Sequence, residues 1–346
     1  FKLGPRQAHV RGVHITLDKQ SDDQLTDIWV KYGYGVTMAE ARTQCFVWQY
    51  LQDTNNPAVR APRVYLAFTR KTFGFIVSEY IDGHMCDYAD IARIIPAVQA
   101  LISIPSPSSK PGPVGGGLIE HPFFIDSIAP IEYESVKDLQ DHINGILRAT
   151  ERNGHVRFTH EVAKYGLRLC VSDLRIGNFM KDQGSRIVAV DFRGCSFLHP
   201  CFFAFAMTYG RLGHLLQPTL DYPPTPELLL WTLKNASGVL VPWGTNIIGQ
   251  QISPSYKNLA HRTAQAFRED YAPDFQAIKT RRPFPAKHDC AIPSRPHRRF
   301  SRTLHTFAVS LPIYLGIYRG RTEQESDIGI VSHSHWEESV VEHPAK

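Results

Sequence analysis

Residues 170–194 read CVSDLRIGNFMKDQGSRIVAVDFRG, and this stretch decides the fold. Two short strand-like runs, 178–181 and 186–192, flank Asp182-Gln183-Gly184-Ser185, a sequence suited to a tight hairpin turn. Centring the turn between Gln183 and Gly184 predicts that Asn178 stands opposite about Ala189. Side chains alternate along a strand, so Asp191 is expected on the face of Ala189, one pair-step from Asn178. An amide oxygen and a carboxylate then converge at one end of the hairpin, a donor pair that suits a hard cation such as magnesium.

Working outward toward the N-terminus, the stretch 25–32 (LTDIWVKY) alternates Ile28, Val30 and Tyr32 with Trp29 and Lys31. This is a strand pattern that puts Lys31 on the face of Trp29. Thr37, with Glu40 three residues later, opens a helix whose stripe is Met38, Ala41, Cys45, Trp48 and Leu51 and which stops by Asn55-Asn56-Pro57. The runs 63–69 and 73–80 predict an antiparallel hairpin, and 10–17 a further strand. Beyond residue 84, helices are expected at 87–104, 135–153, 159–167, 201–216 and 225–235, with a Pro/Gly/Ser loop at 105–117. The expected class is α+β, with an antiparallel β-rich part over 1–82, a mainly helical part over 83–280, and a basic, irregular tail over 281–346.

Composition narrows the field. With 346 residues, 43% hydrophobic and 21% charged, the chain is neither wholly disordered nor fibrous, and its length suits about two domains or lobes. The net charge of +5 is uneven, because residues 277–346 hold eleven basic and seven acidic side chains. The rest is nearly neutral and gives nucleic-acid binding no support. Eight Lys/Arg, one acid and four prolines crowd 279–302. Two readings of that stretch are open, a loosely attached tail or a patch for an anionic partner. The six cysteines (Cys45, Cys86, Cys170, Cys195, Cys201 and Cys290) stand singly without a CxxC pair, as free thiols in a reducing, cytoplasmic setting do. No run reaches the roughly 20 apolar residues of a membrane span; Phe197–Leu216 and Leu304–Tyr318 read as core segments, so no membrane partner is expected. Beginning at Phe1 without an initiator Met or an apolar signal core, the sequence reads as a fragment.

Four residues separate Asp173 from Asn178. That is the spacing of the kinase catalytic loop, where the Asp accepts the proton of the attacking hydroxyl and the Asn holds a metal. Asp191-Phe192 followed by Gly194 is similar to the metal-binding Asp-Phe-Gly segment, lengthened by Arg193. The landmarks VKYG (30–33), EA (40–41), SEYIDG (78–83), SDLRIGN (172–178) and AVDF (189–192) occur in order over roughly 10–275. Through them the chain resembles the aminoglycoside phosphotransferase-like branch of the protein-kinase-like superfamily, of the type abundant in fungi. The resemblance implies a bilobal protein-kinase-like fold with ATP and Mg2+ between the lobes. Lys31 would hold the α/β-phosphates, oriented by Glu40, and backbone groups of Glu79, Tyr80 and Ile81 would bind adenine. Asp173 and Arg175 would be catalytic, Arg175 neutralising charge on the transferred group, and Asn178 and Asp191 would hold the metal. The chain departs from the family pattern at three points: Val171-Ser172 replace the His-led start of the loop, no G-x-G-x-x-G precedes Lys31, and Arg193 is inserted.

Each of these residues has a plainer reading. Lys31 could extend to solvent from its strand, Glu40 could complete a capping box with Thr37, Asp173 and Asn178 could serve a turn, and Arg175 could pair with a neighbouring carboxylate. Burial would leave Cys170 inert, the run 202–209 reads as core, and His14, His84, His121 and His199 show no metal-ligand spacing. The expected reaction is ATP-dependent transfer of the γ-phosphoryl group to a hydroxyl of a small molecule. Only seven residues, 194–200, precede the helix-like run at Cys201, too few for a peptide-docking segment with its Ala-Pro-Glu anchor. The alternative is a catalytically inactive pseudokinase, a nucleotide-binding or scaffold module.

Overall fold

In a computed structural model, the structure describes residues 11–16 and 27–250. The expected tail over 281–346, with its basic stretch and the segment 304–318, lies outside the described residues. The chain begins with β1 (Arg11–Thr16), β2 (Asp27–Gly33), α1 (Met38–Asp53), β3 (Val59–Arg60), β4 (Val64–Arg70) and β5 (Phe73–Glu79). Strands β1, β2, β5 and β4 form an antiparallel sheet in that order. Alternation in β2 buries Ile28 and Val30 with Phe75 and Val77 on one face. Across the ladder Lys31 stands opposite Ile76, which packs with Val36 and Ala41 at the start of α1.

Helix α1 is capped by Thr37, whose hydroxyl accepts the Glu40 backbone N–H at 3.1 Å. Its buried face is Glu40, Ala41, Thr43, Gln44, Val47 and Leu51, which keeps Ala41 and Leu51 of the expected stripe but replaces Met38 and Cys45 with polar residues and Val47. The shift has a polar cause: Gln44 donates to the Pro62 carbonyl at 3.0 Å, and the Thr43 hydroxyl accepts from Val114 N–H at 3.1 Å. Satisfied polar groups can be buried where a purely apolar pattern would not place them.

The remainder is mainly helical: β6 (Gly83–Met85), α2 (Ile91–Ile102), α3 (Val136–Ala149), α4 (Thr159–Tyr165), β7 (Arg168–Val171), β8 (Phe179–Asp182), β9 (Ile187–Ala189), β10 (Cys195–Leu198), α5 (Pro200–Ala206), α6 (Gly210–Leu216) and α7 (Glu227–Trp243). The α+β expectation, with a β-rich first part and a helical second, is met. One expected helix over 201–216 is two, α5 and α6, and Gly213 explains the close join, since a Cβ there would sit 2.3 Å from the Met207 carbonyl oxygen. Phe202, Phe203, Phe205 and Met207 belong to the large core shared with α2, α3 and α7. No helix among the described residues is long and apolar enough to cross a membrane.

A second sheet, in the order β3-β9-β8-β6, clamps the β8–β9 hairpin on both flanks. Strand β6 follows the crossover 80–82 directly, and Gly83 approaches β8 so closely that a Cβ would lie 2.0 Å from the Lys181 carbonyl oxygen. The hairpin register differs by one from the expectation. Ser185 adopts a left-handed φ of 60° and the Asp182 N–H donates to the Arg186 carbonyl, which makes a three-residue loop centred on Gly184. Phe179 therefore pairs with Ala189, and Asn178 faces Val190, whose N–H donates to the Asn178 carbonyl at 2.9 Å.

Candidate active site

Four elements converge on one cluster: β2 with Lys31, α1 with Glu40, the loop after β7 with Asp173, and the end of the β8–β9 hairpin with Asn178 and Asp191. Lys31 Nζ donates to Glu40 Oε1 at 2.5 Å and to Asp191 Oδ1 at 2.8 Å. The Glu40 side chain is only 1% exposed, whereas Asp191 keeps 42% of its side-chain surface open. Of the capping box only the Thr37 half forms, and the Glu40 carboxylate is turned to Lys31. Burial works against the Lys31 ammonium, but the carboxylates of Asp191 and Glu40 outweigh it and hold its pKa above the ordinary lysine value. Burial would raise the Asp191 carboxyl, yet Lys31 and the Arg193 backbone N–H hold it below the usual range.

Asp191 leaves the strand alternation, because its backbone is left-handed (φ 60°, ψ 77°) where it caps a 3-10 turn over Phe192–Gly194. This conformation, rather than the face of Ala189, aims it at Lys31. Gly194 closes the turn on the loop after β7: its carbonyl accepts from Ser172 N–H at 2.9 Å, and a Cβ on Gly194 would stand 3.1 Å from Asp173 Cβ. The turn thus seats the loop after β7 directly against the Asp191 segment.

Asn178 donates from Nδ2 to the Asp173 carbonyl at 2.9 Å, which leaves its amide oxygen as the atom to offer a cation. Asp191, partly open to solvent, and half-buried Asn178 offer oxygen donors of the kind that suits Mg2+ bound by one or two side chains. Among the described residues, no three His, Cys, Asp or Glu side chains group to hold a metal. Asp173 Oδ1 accepts from Arg175 Nε at 2.8 Å, so Arg175, 72% exposed, has the carboxylate partner of its plainer reading. Burial pushes the Asp173 carboxyl up and Asp191 adds to this, with Arg175 opposing, so Asp173 is a better proton acceptor than a solvated aspartate.

At the crossover, Glu79 spends its side chain on Arg60 (2.7 Å) and on the Arg63 backbone N–H (3.1 Å). Its backbone N–H is also engaged, donating to the Arg63 carbonyl at 2.8 Å. Tyr80 stacks on His14 with ring centroids 3.7 Å apart, and Ile81 is buried. Cys170 is buried and its thiol is pushed up to about 12, which makes it inert.

No protein-family model matches the chain, and no curated protein does. Solved structures do. The chain is similar to choline kinase LicA from Streptococcus pneumoniae, 14% identical over 76% of this chain and 95% of that one, with a TM-score of 0.33. It is similar to a thermostable mutant of aminoglycoside phosphotransferase APH(4)-Ia in ternary complex with AMP-PNP and hygromycin B, at 12% identity over 76% and 87% of the chains and a TM-score of 0.39. Spectinomycin phosphotransferase APH(9)-Ia in complex with ADP and spectinomycin matches at 11% identity over 76% and 89%, with a TM-score of 0.35. Likenesses this distant assign no role to any residue here, and the roles below rest on the geometry of the cluster.

Two residues of the cluster were not legible as a pair in the sequence. Arg193 Nε donates to Glu120 Oε2 at 2.6 Å, and both side chains are largely buried. Glu120 lies 73 positions upstream, in a segment without periodicity, so no local signal connects it to the hairpin.

Proposed function

We propose that the chain is a kinase-like phosphotransferase that moves the γ-phosphoryl group of ATP to a hydroxyl of a small molecule, with Mg2+ as cofactor. The observation that carries this reading is the single lysine bonded at once to a helix carboxylate and to the hairpin carboxylate, beside the loop that carries Asp173 and Asn178. Lys31, held by Glu40, would bind the phosphates, and Asn178 and Asp191 would hold the cation. Backbone groups of Glu79, Tyr80 and Ile81 would receive the adenine. When bound, Mg2+ supplies charge neutralisation on the phosphates. Asp173 takes the proton as the acceptor oxygen forms its bond to the γ-phosphorus; the bond from that phosphorus to the bridging oxygen breaks, and its electron pair leaves with ADP. Arg175 opposes the upward shift of Asp173 and would place positive charge beside the transferred group.

A small acceptor is supported by the path of the chain after Gly194, which runs at once into β10 and α5 and leaves no segment to dock a peptide. A cytoplasmic setting suits the free, buried thiols of Cys86, Cys170 and Cys195. The inactive, nucleotide-binding reading is favoured by one observation, the Asp173 carboxylate already engaged by Arg175. Thermal unfolding of the full chain tests the proposal. ATP with MgCl2 at about 100 times its Kd stabilises it by roughly 2.7 kcal/mol, and Lys31→Ala reduces that shift. No shift at millimolar ATP would remove both readings.

A further inference from the structure

We infer that Glu120 is a positioning residue for the metal-binding turn: by holding Arg193, it keeps that guanidinium away from Asp191 and Glu40 and leaves Asp191 free for a cation. The inference rests on the phosphotransferase reading of the site. Arg193 is the extra residue of the Asp-Phe-Arg-Gly segment, and its side chain points inward to Glu120 rather than out to solvent. Phe192, between them in sequence, is buried in the core, so the turn has little freedom to re-aim. A left-handed aspartate persists only where its surroundings determine it. Here Lys31 holds Asp191 Oδ1 at 2.8 Å, and the Arg193 backbone N–H meets the same oxygen at 3.4 Å.

Without Glu120 the Arg193 charge would have two carboxylates to turn to, because its field already acts on both Glu40 and Asp191. Glu40 is the more telling of the two: its Oε2 is buried with no hydrogen-bond partner, an acceptor that a released guanidinium would satisfy. A cation seated on Asp191 or Glu40 would compete with Mg2+ in the first case and with Lys31 in the second. Glu120 prevents both.

Glu120 is itself fixed in place. It bridges to Ile128, flanked by hydrogen bonds from His121 N–H to the Ser127 carbonyl and from Ala129 N–H to the Ile119 carbonyl, both 2.8 Å. The same segment is tied to α1, since Arg42 donates to the Val114 and Gly116 carbonyls at 2.9 and 2.8 Å. It is tied to β10 through paired backbone bonds between Gly112 and Phe197. One segment therefore grips the helix that carries Glu40 and, through Arg193, the turn that carries Asp191. Burial also pushes the Glu120 carboxyl up to about 7, against the opposing pull of Arg193.

The test is calorimetric titration of the full chain with ADP, once in MgCl2 and once in EDTA. In Glu120→Gln the gain in ADP affinity from Mg2+ falls by about tenfold or more, as for other outer-sphere partners of metal ligands, while the affinity in EDTA stays within about threefold. Adding Arg193→Gln restores most of the Mg2+ gain, because the released guanidinium is gone; a merely structural pair would lose more in the double variant. An unchanged Mg2+ gain in Glu120→Gln, or no recovery in the double variant, overturns the inference and leaves the phosphotransferase reading standing. If Glu120→Gln does not fold, Glu120→Asp draws the charge back by one methylene and reduces the gain less, by about threefold; an unchanged gain there overturns the inference too. Loss of folding in all variants makes the pair a general stability element and equally overturns it. Wild-type protein without Mg2+-dependent ADP binding defeats the phosphotransferase reading itself.

Discussion

Two segments meet at the turn that carries Asp191 and Arg193, and they are held differently. The β8–β9 hairpin is fixed by backbone ladders, with β3 on one flank and β6 on the other. The segment 110–134 contains no strand or α-helix of its own beyond one 3-10 turn; backbone bonds between Gly112 and Phe197 and the Glu120–Ile128 bridge hold it together with side-chain bonds from Arg42, Thr43 and Arg193. The difference teaches where single substitutions should tell. In the hairpin the backbone ladder sets the register while Phe179, Ile187, Val188 and Ala189 are buried, so polar or exposed positions there should tolerate change best; in the segment a few long-range side-chain bonds add to its short backbone bridges.

The largest effect expected under the proposed function lies beside the hairpin, at Asp173 on the loop after β7 and at Asp191 just past β9. A positioned base contributes about 10²–10⁴ in rate, or roughly 2.7 to 5.4 kcal/mol. Asp173→Asn should therefore lose phosphoryl transfer by that factor while keeping the ATP-dependent thermal shift, and Asp191→Asn should lose both. Equal turnover in wild type and Asp173→Asn would end the assignment of the base.

Acid sharpens the contrast from the other side. His121, in the segment, is fully buried and neutral: its Nδ1 accepts from Phe123 N–H and its Nε2 bonds the Phe202 carbonyl. Burial lowers its pKa from 6.5 to about 4, and that of His142 likewise. Each folded histidine binds fewer protons than its unfolded counterpart, so the stability it contributes is present above about pH 6.5 and lost as pH falls toward 4. The loss is on the order of 3 kcal/mol per residue once both states are protonated. Urea unfolding between pH 7.5 and 4.5, with NMR titration of the rings, checks this; a His121 ring that titrates near 6.5 contradicts it.

A smaller effect tests whether the ladder really carries the hairpin. Gly83→Ala puts a methyl against the Lys181 carbonyl and should destabilise by about 1–3 kcal/mol, read in chemical denaturation. The smallest tests the segment: Arg42→Met removes two hydrogen bonds to backbone carbonyls at a half-exposed site and should cost about 1 kcal/mol, with proteolytic cleavage between 110 and 120 accelerated. If Arg42→Met is silent in both measurements, the segment is held by its packing instead.

Local pattern made several elements readable before any coordinates. Period-two alternation in 27–33 sets Lys31 on one face, Thr37 marks the start of α1, and the turn residues 182–185 mark the hairpin. The one-residue error in the hairpin register came from Ser185, which took a left-handed conformation that glycine next to it could have taken. The polar face of α1 was misread for a different reason, since periodicity registers apolar residues and is blind to a buried Glu, Thr or Gln whose partner lies far along the chain.

What the amino-acid order determined by itself is the set of groups at hand: a strand lysine, a helix glutamate, and an Asp, Asn and Asp at fixed spacings around one hairpin. Neighbours along a strand or helix have their relative directions set by backbone geometry, so these positions follow from counting. Only the tertiary structure decided that Lys31 bonds Glu40 and Asp191 together, that Asp191 turns left-handed to reach it, and that Glu120 closes on Arg193 from 73 positions away. Contacts of that kind depend on how separate elements pack and on which buried charges find partners, and no local period encodes either.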